Sequence, residues 1–144
     1  HSWDGWFDAF DGLINYQLRD RLLDFCVRDS MDADDLAIEV RALLGRVPDP
    51  TLMLNLLGSH DTERLATIAQ GDEPRVILAL TALFTMPGAP MVYYGDEIGL
   101  EGGNDPDCRR AMPRDGAGSR RIRDIVQRLA EWRRSRVALL RGSW

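Results

Sequence analysis

Lysine is absent from this 144-residue chain; all 18 basic side chains are arginine. We read this mainly as codon bias, although arginine also suits planar, bidentate recognition better than lysine. A basic surplus is absent as well. Against those 18 arginines stand 23 acidic residues, for a formal net charge of −5. Nothing is left over to displace counterions, so a phosphate-backbone binder is excluded and no nucleic-acid partner is expected. Cysteine is scarce. Cys26 and Cys108 form no CxxC pair, which excludes a disulfide framework and a cysteine zinc site. The two histidines cannot hold a metal without carboxylate help, and neither metal nor cofactor is expected. No apolar run approaches the roughly 20 residues needed to span a bilayer. The opening HSWDGWFDAF has neither the basic start nor the apolar core of a secretory leader. It also lacks an initiator Met, so a fragment or processed product is expected.

What is present has a globular composition, 44% hydrophobic and 28% charged, enough for one domain with a core. Three short apolar runs read as strands buried on both faces: Phe10–Tyr16, Leu52–Gly58 and Pro90–Gly95. Helical patterns lie between them. Asp32 and Asp35 are spaced as an N-cap and its acidic partner. Leu36, Val40, Leu43 and Leu44 then make an apolar face that Gly45 ends. The stretch Glu73–Met86 reads as a helix whose centre, VILALTALF, is apolar nearly all round, which predicts deep burial. From Ser119 to Arg136, the residues Ile122, Ile125, Val126, Leu129 and Trp132 line one face. The tail VALLRGSW reads as the start of another strand. Alternating strands and helices predict an α/β fold with a parallel sheet and helical crossovers.

In such folds, function gathers on loops after the carboxyl ends of strands. Both polar clusters sit there: SHDTER after the second strand and GDEIGLEGGNDPDCRR after the third. Taken singly, each has a plain reading. Asp61 is as readily a helix N-cap for ERLATIA as a catalytic carboxylate. His60 is most simply a hydrogen-bonding residue at a strand end. Asp105 and Arg109 make a surface ion pair. Asp96 and Glu97 could hold a metal, but a structural hydrogen-bonding role is favoured. Trp3 and Trp6 could stack on sugars or simply pack. GLEGG does not have dinucleotide-loop spacing.

Taken together, LLGSHDTER, YYGDEIG and GGNDPDCRR, with FDGLINYQL and MDADDLAIEVRALL before them, resemble the α-amylase family of glycoside hydrolases. The likeness is strongest to the neopullulanase, cyclomaltodextrinase and maltogenic-amylase branch, and it runs through the whole chain. It implies a partial (β/α)8 TIM barrel over residues 1–136, comprising strands six to eight with their helices. Residues 137–144 would begin a β-domain. It implies retaining cleavage of α-glucosidic bonds in cyclodextrins, maltooligosaccharides or pullulan. Retention needs a nucleophile and an acid about 5 Å apart, and neither matches a residue here. His1 resembles the histidine three residues past the acid. Asp61 matches the third catalytic carboxylate, which stabilises the transition state, and His60 a histidine on the same sugar. Asp105 and Arg109 match a pair gripping the next sugar. Arg64 ends the SHDTxR motif and is expected to organise the loop. The expected partners are an α-glucan oligosaccharide and the remainder of the barrel, or else copies of the chain. A cytoplasmic setting is expected. Two other readings compete: a non-catalytic part-barrel serving as an assembly or partner subunit, and a flavodoxin-like domain. The latter is disfavoured because NYQLRDRL offers no phosphate-cradling loop.

Overall fold

The computed structural model describes Trp3, residues 5–114 and residues 116–141. Its regular elements are α1 (Tyr16–Cys26), α2 (Ala33–Leu44), β1 (Leu54–Leu56), α3 (Leu65–Ile68), α4 (Glu73–Thr85), β2 (Ala89–Met91), α5 (Arg120–Ser135) and α6 (Val137–Arg141). β1 and β2 pair in parallel, with Leu54 opposite Ala89 and Leu56 opposite Met91. Ile14 adds a single parallel bridge to Leu54 on the other edge. The expected α/β alternation is therefore present, with a much smaller sheet than the apolar runs suggest.

Each strand is shorter for a local reason. Asn15 turns the chain out of the sheet, because its side chain accepts the Leu18 N–H and caps α1. The first strand is thereby reduced to Ile14, while the Phe10 N–H bonds back to Trp6. Asp49 caps a 3-10 turn at Pro50–Leu52 that delays β1. Gly95, at φ 89°, turns the chain after Tyr94. The polar Asn55 inside β1 is satisfied on both sides. It accepts from Asn15 Nδ2 at 3.0 Å and donates to the Pro87 carbonyl at 2.6 Å.

Helix ends follow local chemistry closely. Asp32, Asp72 and Ser119 each accept a backbone N–H three residues on, replacing a bond the helix start lacks. α4 is the central helix, packed against α1, α3, α5 and β2, with Val76, Ala79, Leu80, Leu83 and Phe84 buried. Leu18, Leu22 and Leu23 of α1, and Leu36, Val40 and Leu43 of α2, complete the core beneath it. On α5, Ile122 and Leu129 are buried, but Trp132 is 55% exposed and does not join them. Arg133 of α5 reaches back to the turn after α4, donating to the carbonyls of Phe84 (2.7 Å), Met86 (2.9 Å) and Gly88.

Two further readings change. α1 precedes α2, so the first crossover contains two helices. The tail read as a strand is helical over Val137–Arg141. The chain leaves α5 through extended Arg136, and the Leu139 N–H then bonds to the Arg136 carbonyl. That bond starts a new turn. Residues 142–144 and His1 lie outside the described residues.

One face of the sheet stays partly open. Ile14, Leu54 and Met91 are 43%, 38% and 37% exposed. Among the described residues, no helix is long and apolar enough to cross a membrane.

Candidate active site

β1 runs into Leu57 and Gly58, and the loop that follows is folded by its own hydroxyls. Ser59 N–H donates to Thr62 Oγ1 at 2.9 Å, and Asp61 N–H donates to Ser59 Oγ at 3.2 Å. Tyr16, at the start of α1, donates its hydroxyl to the same Ser59 Oγ. With the backbone polar groups used inside the loop, the His60 and Asp61 side chains point to solvent, 60% and 61% exposed. Asp61 does not cap a helix: α3 has Arg64 at its N-cap and no side-chain bond there.

The Asp61 carboxylate instead joins two neighbours. His60 Nε2 is 3.1 Å from Oδ2, and Arg109 Nη2 is 3.4 Å from Oδ1. Arg109 Nε in turn donates to Asp105 Oδ1 at 2.7 Å. Desolvation works against the Arg109 charge, but Asp105 and then Asp61 outweigh it and hold the guanidinium above its ordinary value. The four residues singled out by motif thus form one continuous row, His60–Asp61–Arg109–Asp105, drawn from loops after β1 and β2. The row offers carboxylate oxygens, an imidazole and a planar guanidinium to solvent, which is the donor and acceptor set that sugar hydroxyls need.

Beneath the row lies Arg64, wholly buried. Its Nε donates to the Cys108 carbonyl at 2.7 Å, and its Nη1 donates to the Tyr94 carbonyl and lies 3.4 Å from Asp96 Oδ1. The guanidinium also rests on the rings of Tyr93 and Tyr94, 4.3 and 4.5 Å from their centroids. Its backbone N–H donates to Gly102. Such burial keeps Arg64 from touching a ligand in solvent, and its bonds organise three loops. Asp96 is buried with it. Burial pushes the Asp96 carboxyl up to about 7, with Arg64 opposing and Glu97 adding to the rise. Glu97 itself accepts the Gly95 N–H at 2.7 Å. Both carboxylates are therefore engaged within the loop, as the structural reading expected. Among the described residues, no group of three or more His, Cys, Asp or Glu is placed to hold a metal.

The second loop is knitted separately. Arg110 holds Asp107 with two bonds, at 2.7 and 2.9 Å. That grip, with the Gly103 N–H, keeps the Asp107 carboxyl below its ordinary value. Sequence reasoning passed over Cys108. Its thiol is buried and donates to the His60 carbonyl at 3.1 Å. Its only signal was its place inside NDPDCRR. Trp3 is buried and packs edge-on against Phe7, so it is a packing residue. Trp6 is exposed beside Phe10, with centroids 5.9 Å apart.

Residues 6–138 match the family description "Alpha amylase, catalytic domain". The chain belongs to the alpha-amylase family. A cyclomaltodextrinase from Geobacillus thermopakistaniensis (strain MAS1) is 40% identical over 94% of this chain and 24% of its own length. Neopullulanase 2 from Thermoactinomyces vulgaris is 34% identical over 99% of this chain and 25% of its own. Among solved structures, the cyclic alpha-maltosyl-(1→6)-maltose hydrolase from Arthrobacter globiformis in complex with maltose superposes with a TM-score of 0.89 at 44% identity. That match covers 97% of this chain and 32% of the other. The chain thus spans only 24–32% of the length of these relatives. Within that span it is a mixed α/β part of the family's catalytic domain.

Proposed function

We propose that this chain is the carboxyl-terminal part of the catalytic barrel of a retaining glycoside hydrolase. Its substrates are α-glucosidic bonds of cyclodextrins, maltooligosaccharides or pullulan. The Ile14 segment, β1 and β2 are barrel strands six, seven and eight, and residues from 137 onward lead into a β-domain. The observation that carries this reading is the single row His60–Asp61–Arg109–Asp105 at the carboxyl ends of parallel strands.

Asp61 binds hydroxyls of the sugar at the scissile bond, and its bonds strengthen as the ring flattens toward an oxocarbenium ion. His60 holds the same sugar. Arg109, oriented by Asp105, grips the next one. The nucleophile and acid/base stand on barrel strands that this segment does not include, so the rest of the barrel is its first partner. The open face at Ile14, Leu54 and Met91 supports that partnership. The setting is cytoplasmic; one relative is named an intracellular maltogenic amylase, from Bacillus subtilis.

Asp61→Asn in the full-length protein that carries this segment tests the assignment. kcat should fall by at least about a hundredfold while KM changes far less, since the contact is made mainly in the transition state. An unaltered kcat would remove Asp61 from the reaction.

A further inference from the structure

The two halves of the row come from loops more than forty residues apart, and their mutual contact is one long bond, Arg109 Nη2 to Asp61 at 3.4 Å, between exposed side chains. Exposed pairs of this kind contribute little, so something else must set the spacing between Asp61 and Arg109. The buried layer below supplies a shorter path. Cys108 immediately precedes Arg109. Its thiol donates to the carbonyl of His60, the residue immediately before Asp61. Its own carbonyl accepts Arg64 Nε at 2.7 Å. Arg64 belongs to the same loop as His60 and is fixed by Tyr94, Asp96 and Gly102. Cys108 thus meets the first loop twice, once through its side chain and once through its backbone, at a site with no solvent access. Loss of this donor leaves the part-buried His60 carbonyl without its partner on the second loop, which removes one of the two ties between the loops.

We propose that Cys108 is a positioning residue for the reaction: its thiol sets the distance between the sugar held by His60–Asp61 and the next sugar held by Asp105–Arg109. This rests on the assignment of those two sugars made above. Cys108 reaches neither sugar. It acts by keeping two subsites in register, so its loss should be felt by substrates that fill both and scarcely by those that fill one.

The full-length enzyme is assayed with nitrophenyl α-glucoside, which offers one glucosyl unit, and nitrophenyl α-maltoside, which offers two. Cys108→Ala should cut the preference in kcat/KM for the maltoside by about tenfold, the scale expected of a sub-ångström misplacement. Cys108→Ser, which keeps a donor, should restore the preference to within about twofold. A general loss of packing would lower both substrates alike and leave their ratio unchanged; that result would overturn the proposal. Hydrogen exchange supplies a readout independent of catalysis. Amides of residues 58–64 should exchange faster in Cys108→Ala and normally in Cys108→Ser, and unchanged exchange in Cys108→Ala would also overturn it. Asp105→Ala separates the two levels. If it abolishes the maltoside preference and Cys108→Ala does not, the subsite assignment stands and the role of Cys108 falls. If Asp105→Ala leaves the preference intact, both fall.

Discussion

The Asp96 carboxylate lies 3.4 Å from the Arg64 guanidinium, and the two side chains are sealed from water together, 3% and 0% exposed. Burying a charge pair costs desolvation that mutual attraction repays only partly. Here the carboxylate bears that cost: its affinity for a proton rises. The pair sits directly under Gly58, where β1 becomes the site loop.

The first consequence is a pH dependence of stability. The Asp96 carboxyl stands at about 7 in the folded chain, against 3.8 for an ordinary aspartate. The folded state then binds the proton more tightly than the unfolded state. Its contribution is fully present below the unfolded value and is lost as pH rises from about 4 through about 7. The slope from this group is at most ~1.4 kcal/mol per pH unit. Denaturant melts at several pH values, compared with Asp96→Asn, isolate it: the wild type should lose stability over this window relative to the variant. A wild type that gains on the variant would contradict the assignment.

Gly58→Ala should destabilise the fold. A Cβ there would stand 2.7 Å from Asp96 Oδ2, and Asp96 is held by Arg64, so the clash cannot relax freely. Overpacking of this kind costs about 1–3 kcal/mol. In an Asp96→Ala background the same change should cost less than about 0.5 kcal/mol beyond the background, because the obstructing atom is gone. Equal costs in the two backgrounds would place the strain elsewhere.

Asp105→Ala in the full-length protein should raise KM for maltooligosaccharides about tenfold with a smaller change in kcat, since on the proposed assignment it orients the guanidinium that grips the sugar away from the cut. Retention of KM would return the Asp105–Arg109 pair to the status of a surface ion pair.

The isolated 144-residue chain should turn over no α-glucan, because on the proposed reading the nucleophile and acid/base stand on other strands of the barrel. It should also associate, with copies of itself or with the rest of the barrel. Each large apolar side chain left in water forgoes roughly 1.5–3 kcal/mol, and Ile14, Leu54 and Met91 are all partly open on a sheet whose outer segments, at Ile14 and β2, each pair on one side among the described residues. Sedimentation at micromolar concentration checks it; a compact monomer with a sharp melt would argue against association, and turnover of a nitrophenyl maltoside against the missing groups.

Local features were the most legible in the sequence. Asp32 and Ser119 lie where helices begin because a cap satisfies N–H groups within three residues. The apolar runs overstated the strands, because hydrophobicity reports burial and not where pairing stops. Asn15, Asp49 and Gly95 end the extended segments through bonds and dihedrals that the runs do not display. Trp132 fits the helical period of α5 yet faces solvent, since periodicity marks a face and not its width. The His60–Asp61 and Asp105–Arg109 pairs stand out in the sequence through the family resemblance of their motifs, and their meeting in space is a long-range fact that no local pattern contains. Cys108 escaped because its partner is a backbone carbonyl, which every residue possesses.

The turn between α4 and β2 takes its shape from a residue far outside it. Arg133 donates to the Phe84 carbonyl at the end of α4 and to the Met86 and Gly88 carbonyls in the turn itself. Docking of α5 therefore supplies donors to the start of β2, and the two should form together. Insertions between Met86 and Ala89 should be tolerated poorly for so short a surface connection. A break in the chain between β2 and α5 should loosen a strand that lies, in sequence, entirely on its other side.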